Sequence, residues 1–561
     1  MKSIKTHKWL ASEDRSEPHR ASLDLLTRAI AIIAVVYFFI HSALVITGTE
    51  RRVMNWLYDD AFYYLIVAKH FSEAHISSFD GVTVTSGYHP LWMWICSFVF
   101  GIRSKLDLTY VRSCMGITTS VSLGLLVVGL LKGFQSKDGG WLWAIALGAT
   151  SYSALNNGVT VMEWPLVLLC WACLHGLLLY QRSNALEGGT GNDHMRVALA
   201  FLVGIAGSLS RSDFGLIPAC YLAAAVFVGW KSREWRFNRL AGAGLAGSIV
   251  GLLSVFLYIH AFTGSWIQQS AKVKRLAASL SDPFNPVPAC WQFLRVLLYL
   301  PRLDLETRSR VVVYTFAIPI LCLLGLGCFF VIFFKRRLLL ERIQNQLQTN
   351  AEEVFVLTAS LLGVVGYLFV YSFNSQATYG WYTGTVTGFM LLLFAKFFSF
   401  FRRRTQTVLG LLLVLSNIAT GLFTGGNAES QYHENSIGRL LLQNHAGARM
   451  GGGDVGKPSF YNGGTMFNLD GLMNDEVVPY LVAGTVHCYI AKRGIAYLSN
   501  VGSITEAVTD AERARLGRSA LPWKLYFPMI EGVSPTGYSV SYVETNFAAI
   551  RDSGECEREI H

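Results

Sequence analysis

The chain has 561 residues, 52% of them hydrophobic and 15% charged, with a mean hydropathy of +0.38, a balance far from that of an ordinary soluble domain. The net charge of +10 does not point to nucleic acid, because the Lys and Arg residues fall in short clusters between apolar runs, where they act as topology signals. The expected class is a polytopic α-helical membrane protein lying in a lipid bilayer, with no nucleic-acid partner.

Residues 1–24 are basic and polar for too long to be a typical cleaved signal peptide, so they are expected to form a cytoplasmic tail ahead of a retained first span. Stretches long enough to span fall at 25–46, 109–131, 141–157, 164–181, 195–211, 213–230, 240–262, 311–334, 354–373, 380–400 and 406–423, about eleven by the length criterion. The piece at 89–102, "HPLWMWICSFVFGI", is short enough for an interfacial or re-entrant helix. If it does not cross, "LKGFQSKDGG", the 182–194 loop, "KSREWRFNR", "FKRRLLLER" and "FRRR" all fall on the cytoplasmic side, as Lys and Arg prefer. If it crosses, "FKRR" and "FRRR" are placed outside.

The expected organisation is therefore a transmembrane domain over 25–423 with a long first outer loop at 47–108, followed by 424–561 outside the cytoplasmic (inner) membrane. That last part mixes Gly-rich turns with short apolar strands and reads as a small α/β domain. Eight of the ten cysteines lie in or beside apolar segments and read as small hydrophobes; this includes the Cys170/Cys173 C-x-x-C, which has no second ligand pair nearby. Cys488 and Cys556 fall in the polar C-terminal part and can pair if it is extracytoplasmic, although spacing does not settle their geometry.

The chemistry-bearing residues gather on the outer side of this arrangement. Two adjacent acids open "DDAFYYLIVAKHF". Asp59 can cap a helix beginning at Asp60, and the apolar face of Ala61, Leu65 and Ala68 suits a helix on the membrane surface. Capping needs one acid only, and two carboxylates at a membrane boundary are costly unless solvated, paired or used. Glu163, in "NNGVTVMEWPL", stands at a helix start, where an acid also suits the dipole.

Arg211 and Asp213, in "LSRSDFGL", can form a local ion pair, and an Arg at a membrane edge is equally a good phosphate ligand. Lys272, Lys274 and Arg275 form an outer basic patch, suited to a phosphate or to lipid headgroups. His89 precedes the short apolar helix, while Trp381 and Tyr382 read as interface aromatics able to stack on a sugar or a lipid chain. "GGGDVGKPS" at 451–459 imitates a phosphate-binding loop, but Pro458 stands where Ser or Thr is needed and no buried strand clearly precedes it; a turn is expected.

Taken together, "DDAFYYLIVAKHF…SFDGVTVTSGYHPLW", "NNGVTVMEWPL", "LSRSDFGL" and the late "GDVGKPSFY…NLDGLMND" resemble the GT-C superfamily of polyprenyl-phosphate-sugar-dependent glycosyltransferases. The resemblance is to arabinofuranosyltransferase- and mannosyltransferase-like enzymes of bacteria and archaea. It implies a single sugar passing, with inversion, from a polyprenyl-phosphate donor to a glycan, lipid or protein acceptor. It implies Asp59 as general base with Asp60 as partner, and Glu163 as an acceptor-orienting or metal-binding acid. Arg211, Lys272 and Lys274 would meet the donor phosphate, and Tyr63, His89, Asp213, Trp381 and Tyr382 the substrates.

Asp59, Asp60 and Glu163 are candidate ligands for a divalent cation, Mg or Mn, although many enzymes of the superfamily that use lipid monophosphates need none. The competing reading is a secondary transporter or flippase, but no internal repeat is visible and the charges lie at one membrane face rather than at mid-membrane.

Overall fold

The computed structural model describes residues 17–136, 139–179, 191–232, 235–278, 286–296, 298, 351–373, 380–399, 401–423, 430–499, 503–533 and 539–559. Among them, six helices are long and apolar enough to cross a membrane: Ala21–Ile46, Leu108–Gln135, Ser212–Lys231, Phe237–Thr263, Ala351–Ser372 and Arg403–Leu422. Helix Gly191–Ser210 covers one more expected span, while the expected span at 311–334 lies outside the described residues. Helices Gly191–Ser210 and Arg236–Thr263 form a close pair because glycine lines the seam. A Cβ on Gly247 would stand 2.0 Å from the Phe201 carbonyl oxygen, and such small residues let helix backbones approach inside a membrane.

Three expected spans differ in detail, the stretch 164–181 forming helix Trp164–Leu179, 16 residues and not among those six. The stretch 141–157 is broken into Gly140–Thr150 and Tyr152–Asn157 at Ser151, whose backbone is extended (φ −70°, ψ 158°). Its hydroxyl donates to the Gly148 carbonyl at 2.8 Å and accepts the Ala154 amide at 3.2 Å, so one serine closes the first helix and caps the second. The stretch 380–400 opens with a 3-10 turn, Gly380–Thr383, before helix Gly384–Ser399. This turn carries Tyr382 into the site.

The short piece forms helix Pro90–Arg103, 14 residues and so about 21 Å long, less than the ~30 Å hydrocarbon core. Trp92, Met93 and Cys96 face inward while Phe98 and Ile102 are exposed, and the helix lies against the first-loop helix Asp59–Ala74.

After residue 430 the chain forms helices around a five-stranded sheet. The strands are β1 (Met450–Gly452), β2 (Phe467–Asn468), β3 (Tyr497–Leu498), β4 (Met529–Val533) and β5 (Ser539–Glu544), in spatial order β2-β1-β3-β5-β4. β1 pairs in parallel with both β2 and β3, and β5 runs antiparallel to β3 and β4. The parallel half therefore directs the carboxyl ends of its strands to one edge. A disulfide joins Cys488 to Cys556 across a separation of 68 residues, tying helix Val486–Arg493 to the last helical turn. Closing a loop of that length constrains the unfolded chain, and losing such a bond typically costs ~2–5 kcal/mol. Reductant, or Cys556→Ser, is expected to lower the melting temperature of the C-terminal part, read by thermal unfolding of detergent-solubilised protein; an unchanged transition would mean that the bond carries no stability.

Candidate functional site

The first-loop helix starts at Asp59, with Tyr58 as its N-cap and no side-chain capping bond. The expected cap by Asp59 on its own helix is thus not what the structure contains. Its carboxylate instead reaches across to the C-terminal part, where Oδ2 accepts the Gly456 amide at 2.8 Å and Oδ1 the Lys457 amide at 2.7 Å. These are orphan donors at the start of helix Gly456–Tyr461, and a carboxylate satisfies both them and the positive helix end. Glycine is required at 456 by close approach, since a Cβ there would lie 2.3 Å from the Asp59 carbonyl oxygen and 2.9 Å from Oδ2.

The "GGGDVGKPS" segment is therefore a strand–turn–helix: a short buried strand, β1, does precede it, contrary to expectation. Where a phosphate-binding loop would offer its amides to a phosphate, this one offers them to Asp59.

Asp60, one residue on, is rotated away by ~100° of helix. It is half-buried and among the described residues accepts no hydrogen bond. Burial pushes its carboxyl up to about 6; Lys274 opposes this, while Asp59, Asp470 and Glu163 add to it. Lys274 comes from helix Gln269–Ala278 and donates to the Tyr382 hydroxyl at 2.6 Å. The Arg211 guanidinium lies 4.6 Å from the centre of the same ring, so two cations bracket Tyr382. Lys272 does not share this position: two residues earlier on a helix is about 200° round, and it acts on Asp475, whose carboxyl burial pushes up to about 6.

Glu163 is 1% exposed and fully engaged. Its Oε1 accepts from Arg211 Nη1 at 2.8 Å and its Oε2 from the Tyr64 hydroxyl at 3.1 Å. His89 Nε2 lies 3.9 Å from Oε1, and burial holds that imidazole down to about 4, so it is neutral at pH 7. Arg211 also makes a fork to Asp213, at 2.8 Å and 3.1 Å, and donates to the Tyr371 hydroxyl at 3.2 Å; Tyr371 in turn donates to Asp213.

Glu163 is presented by a strained turn. Val161 has φ +57°, a left-handed conformation that is a genuine outlier for a β-branched residue, and the buried Trp92 indole N–H donates to its carbonyl at 2.8 Å.

The structure thus brings together Asp60, Glu163, Arg211, Asp213, His89, Lys274 and Tyr382. It turns Asp59 to a clasp and Lys272 to another acid, and it buries Tyr63 among the first-loop and C-terminal acids. Trp381 stands in the Gly380–Thr383 turn, with its side chain outside the described residues. Sequence reasoning missed Tyr64 and Tyr371, which nothing separates from ordinary apolar helix residues. It also passed over Asp470, which "NLDGLMND" displays.

As a cation cage the three candidate acids do not fit. Each Asp59 oxygen accepts a backbone amide, and the Glu163 oxygens accept from Arg211 and Tyr64. Among the described residues the three acids do not place ligand atoms within 4.8 Å of one another, and the group that does is His487, Cys488 and Cys556, whose two sulfurs are bonded together.

No family model matches the chain, and no curated protein matches it. Among solved structures it is similar to the archaeal oligosaccharyltransferase AglB from Archaeoglobus fulgidus, solved with an inhibitory peptide and a dolichol-phosphate, at 13% identity and a TM-score of 0.47 over 93% of this chain and 74% of that one.

Gly456→Ala is expected to destabilise the junction by ~1–3 kcal/mol through overpacking, seen as a lower melting temperature; equal stability would mean that the clasp is loose. The junction should also respond to pH. Asp60, Asp470 and Asp475 each have a folded carboxyl raised to about 6 from 3.8, so the folded state binds protons more tightly than the unfolded one. That stabilisation is full below about 4 and is lost as pH rises through about 6. A melting temperature that falls between pH 5 and pH 7 in Asp60→Asn less than in the native protein checks the assignment to Asp60.

Proposed function

We propose that the protein is a GT-C-type glycosyltransferase that moves one sugar from a polyprenyl-phosphate donor to an acceptor hydroxyl at the outer face of the cytoplasmic membrane, with the C-terminal part on that same side. The observation that carries this reading is Asp60: a half-buried, unbonded carboxylate facing Lys274, beside a ring bracketed by two cations. Asp60, rather than Asp59, is then the general base, because both Asp59 oxygens already accept backbone amides.

In the transfer, the acceptor hydroxyl gives its proton to Asp60 as its oxygen bonds to the anomeric carbon. The bond from that carbon to the phosphate oxygen breaks, and its electron pair leaves with the polyprenyl phosphate. Lys274 and Arg211 offset the charge of the departing monoester. Attack opposite the leaving phosphate inverts the anomeric centre. Glu163 and Asp213 act through Arg211, fixing its fork. Asp60→Asn should reduce release of free polyprenyl phosphate in proteoliposomes by ~10²–10⁴-fold, the usual worth of a positioned base, while the protein stays folded. Full activity in a folded Asp60→Asn protein, or flux of an intact lipid-linked sugar without release of the monoester, would sink the reading.

A further inference from the structure

The helical bundle holds a cavity of about 450 Å³ between helices Leu108–Gln135, Gly140–Thr150, Trp164–Leu179 and Gly384–Ser399. Its wall is chiefly apolar, with Leu125, Leu168, Trp171, Leu179 and Leu391 among the lining residues. From Trp164 to Leu179 it follows one helix for about 22 Å, most of the ~30 Å hydrocarbon core. One end lies at Trp164 and Ser153, beneath the turns that carry Glu163 and Tyr382; the Ser153 hydroxyl is 3.4 Å from that of Thr383. The other end is charged, since Lys132 and Lys396 line it. Lys132 stands about 36 Å along the helix that leaves the first loop at Leu108, and Lys396 about 18 Å along the helix that follows the Tyr382 turn. Both therefore lie toward the membrane face away from the transfer site, which the basic clusters mark as the cytoplasmic side.

Ser136 lines both this charged mouth and a polar cleft of about 320 Å³ that holds Arg28 and Arg403. Glu353 accepts from Lys396 at 2.5 Å, and Asp24 lies 3.7 Å from Arg403; the Arg28 guanidinium lies over the Phe134 ring. Among the described residues, four cations thus face two acids at one end of an apolar cavity, the outline of an anionic amphiphile. We infer that this end binds the headgroup of an anionic phospholipid from the cytoplasmic leaflet, with one acyl chain lying in the cavity. Basic pockets between spanning helices on that side suit such headgroups, and each Lys or Arg near the surface favours an anionic lipid. The inference rests on the membrane placement of the bundle and not on the transfer reading. A donor's polyprenyl chain fits the charges less well: its one charged group is the phosphate, which the transfer reading places by Lys274 and Arg211, and its hydrocarbon end gives the far lysines nothing to bind.

Gly176 gives a way to block the cavity, since it lines the wall and a Cβ there would meet no atom within 4 Å. The full chain is reconstituted in nanodiscs of phosphatidylcholine and phosphatidylglycerol in equal amounts, extracted in detergent, and its retained lipid read by native mass spectrometry. Phosphatidylglycerol is expected to be retained over phosphatidylcholine by ~10-fold or more. Replacing both Lys132→Ala and Arg28→Ala is expected to bring that ratio to within ~3-fold of even, and Gly176→Phe to remove most of the retained lipid of either kind. Equal retention of the two lipids by the native protein overturns the inference, as does undiminished retention by folded Gly176→Phe. Displacement of the retained phospholipid by added polyprenyl phosphate also overturns it, giving the cavity to the donor's chain instead. If either variant does not fold, the lipid ratio and the polyprenyl-phosphate competition on native protein decide.

Discussion

Two backbone amides at the start of a six-residue helix donate to a carboxylate from 397 residues earlier in the chain, and the geometry of the site follows from that contact. Because Asp59 is tied to Gly456 and Lys457, the first-loop helix can take only one rotation about its axis. That rotation sends Asp60 toward Lys274 and buries Tyr63 against Phe79, among the first-loop and C-terminal acids. A second contact fixes the same junction. Gly87, late in the first loop, lies against the Leu472 carbonyl and Met473, two and three residues after Asp470. The C-terminal part is therefore a wall of the site and not an appendage to the membrane bundle.

The remaining charges show how a low-dielectric site tolerates ions. Glu163, Arg211 and Asp213 lie at helix ends where water is scarce, and an unpaired charge there would be far costlier than any surface ion pair. Each is answered at least twice: Glu163 by Arg211 and Tyr64, Arg211 by both acids and Tyr371. Such a cluster holds a fixed shape because moving one member strands another. Asp60 stands outside this mutual satisfaction, and burial raises its carboxyl to about 6.

Much of the framework was legible in the sequence because membranes impose simple rules. Apolar length marked the helices, and 89–102 forms one of 14 residues, shorter than the hydrocarbon core. What the sequence hid was rotation and long-range pairing. Asp59 and Asp60 are adjacent letters with similar chemistry; only a partner near residue 456, on a strand–turn–helix that reads as a failed nucleotide loop, separates the acid bonded to backbone amides from the one facing Lys274. Lys272 and Lys274 look like one patch in a linear text, whereas helical geometry points them to different acids. Ser151 breaks a run whose hydropathy is continuous, since capping depends on backbone angles that hydropathy does not report. Tyr64 and Tyr371 carry no signal at all, being aromatic residues in aromatic helices.

The left-handed Val161 has a consequence for anyone engineering the protein. A β-branched residue in that conformation stores on the order of 1–3 kcal/mol, which glycine would release. Thermostability screens and consensus-style redesign would therefore favour glycine at 161. The same change would let the Thr160–Glu163 turn wander on its tether to Trp92, so that the more durable protein would hold its arginine anchor less firmly. At this position durability and geometric fidelity pull in opposite directions.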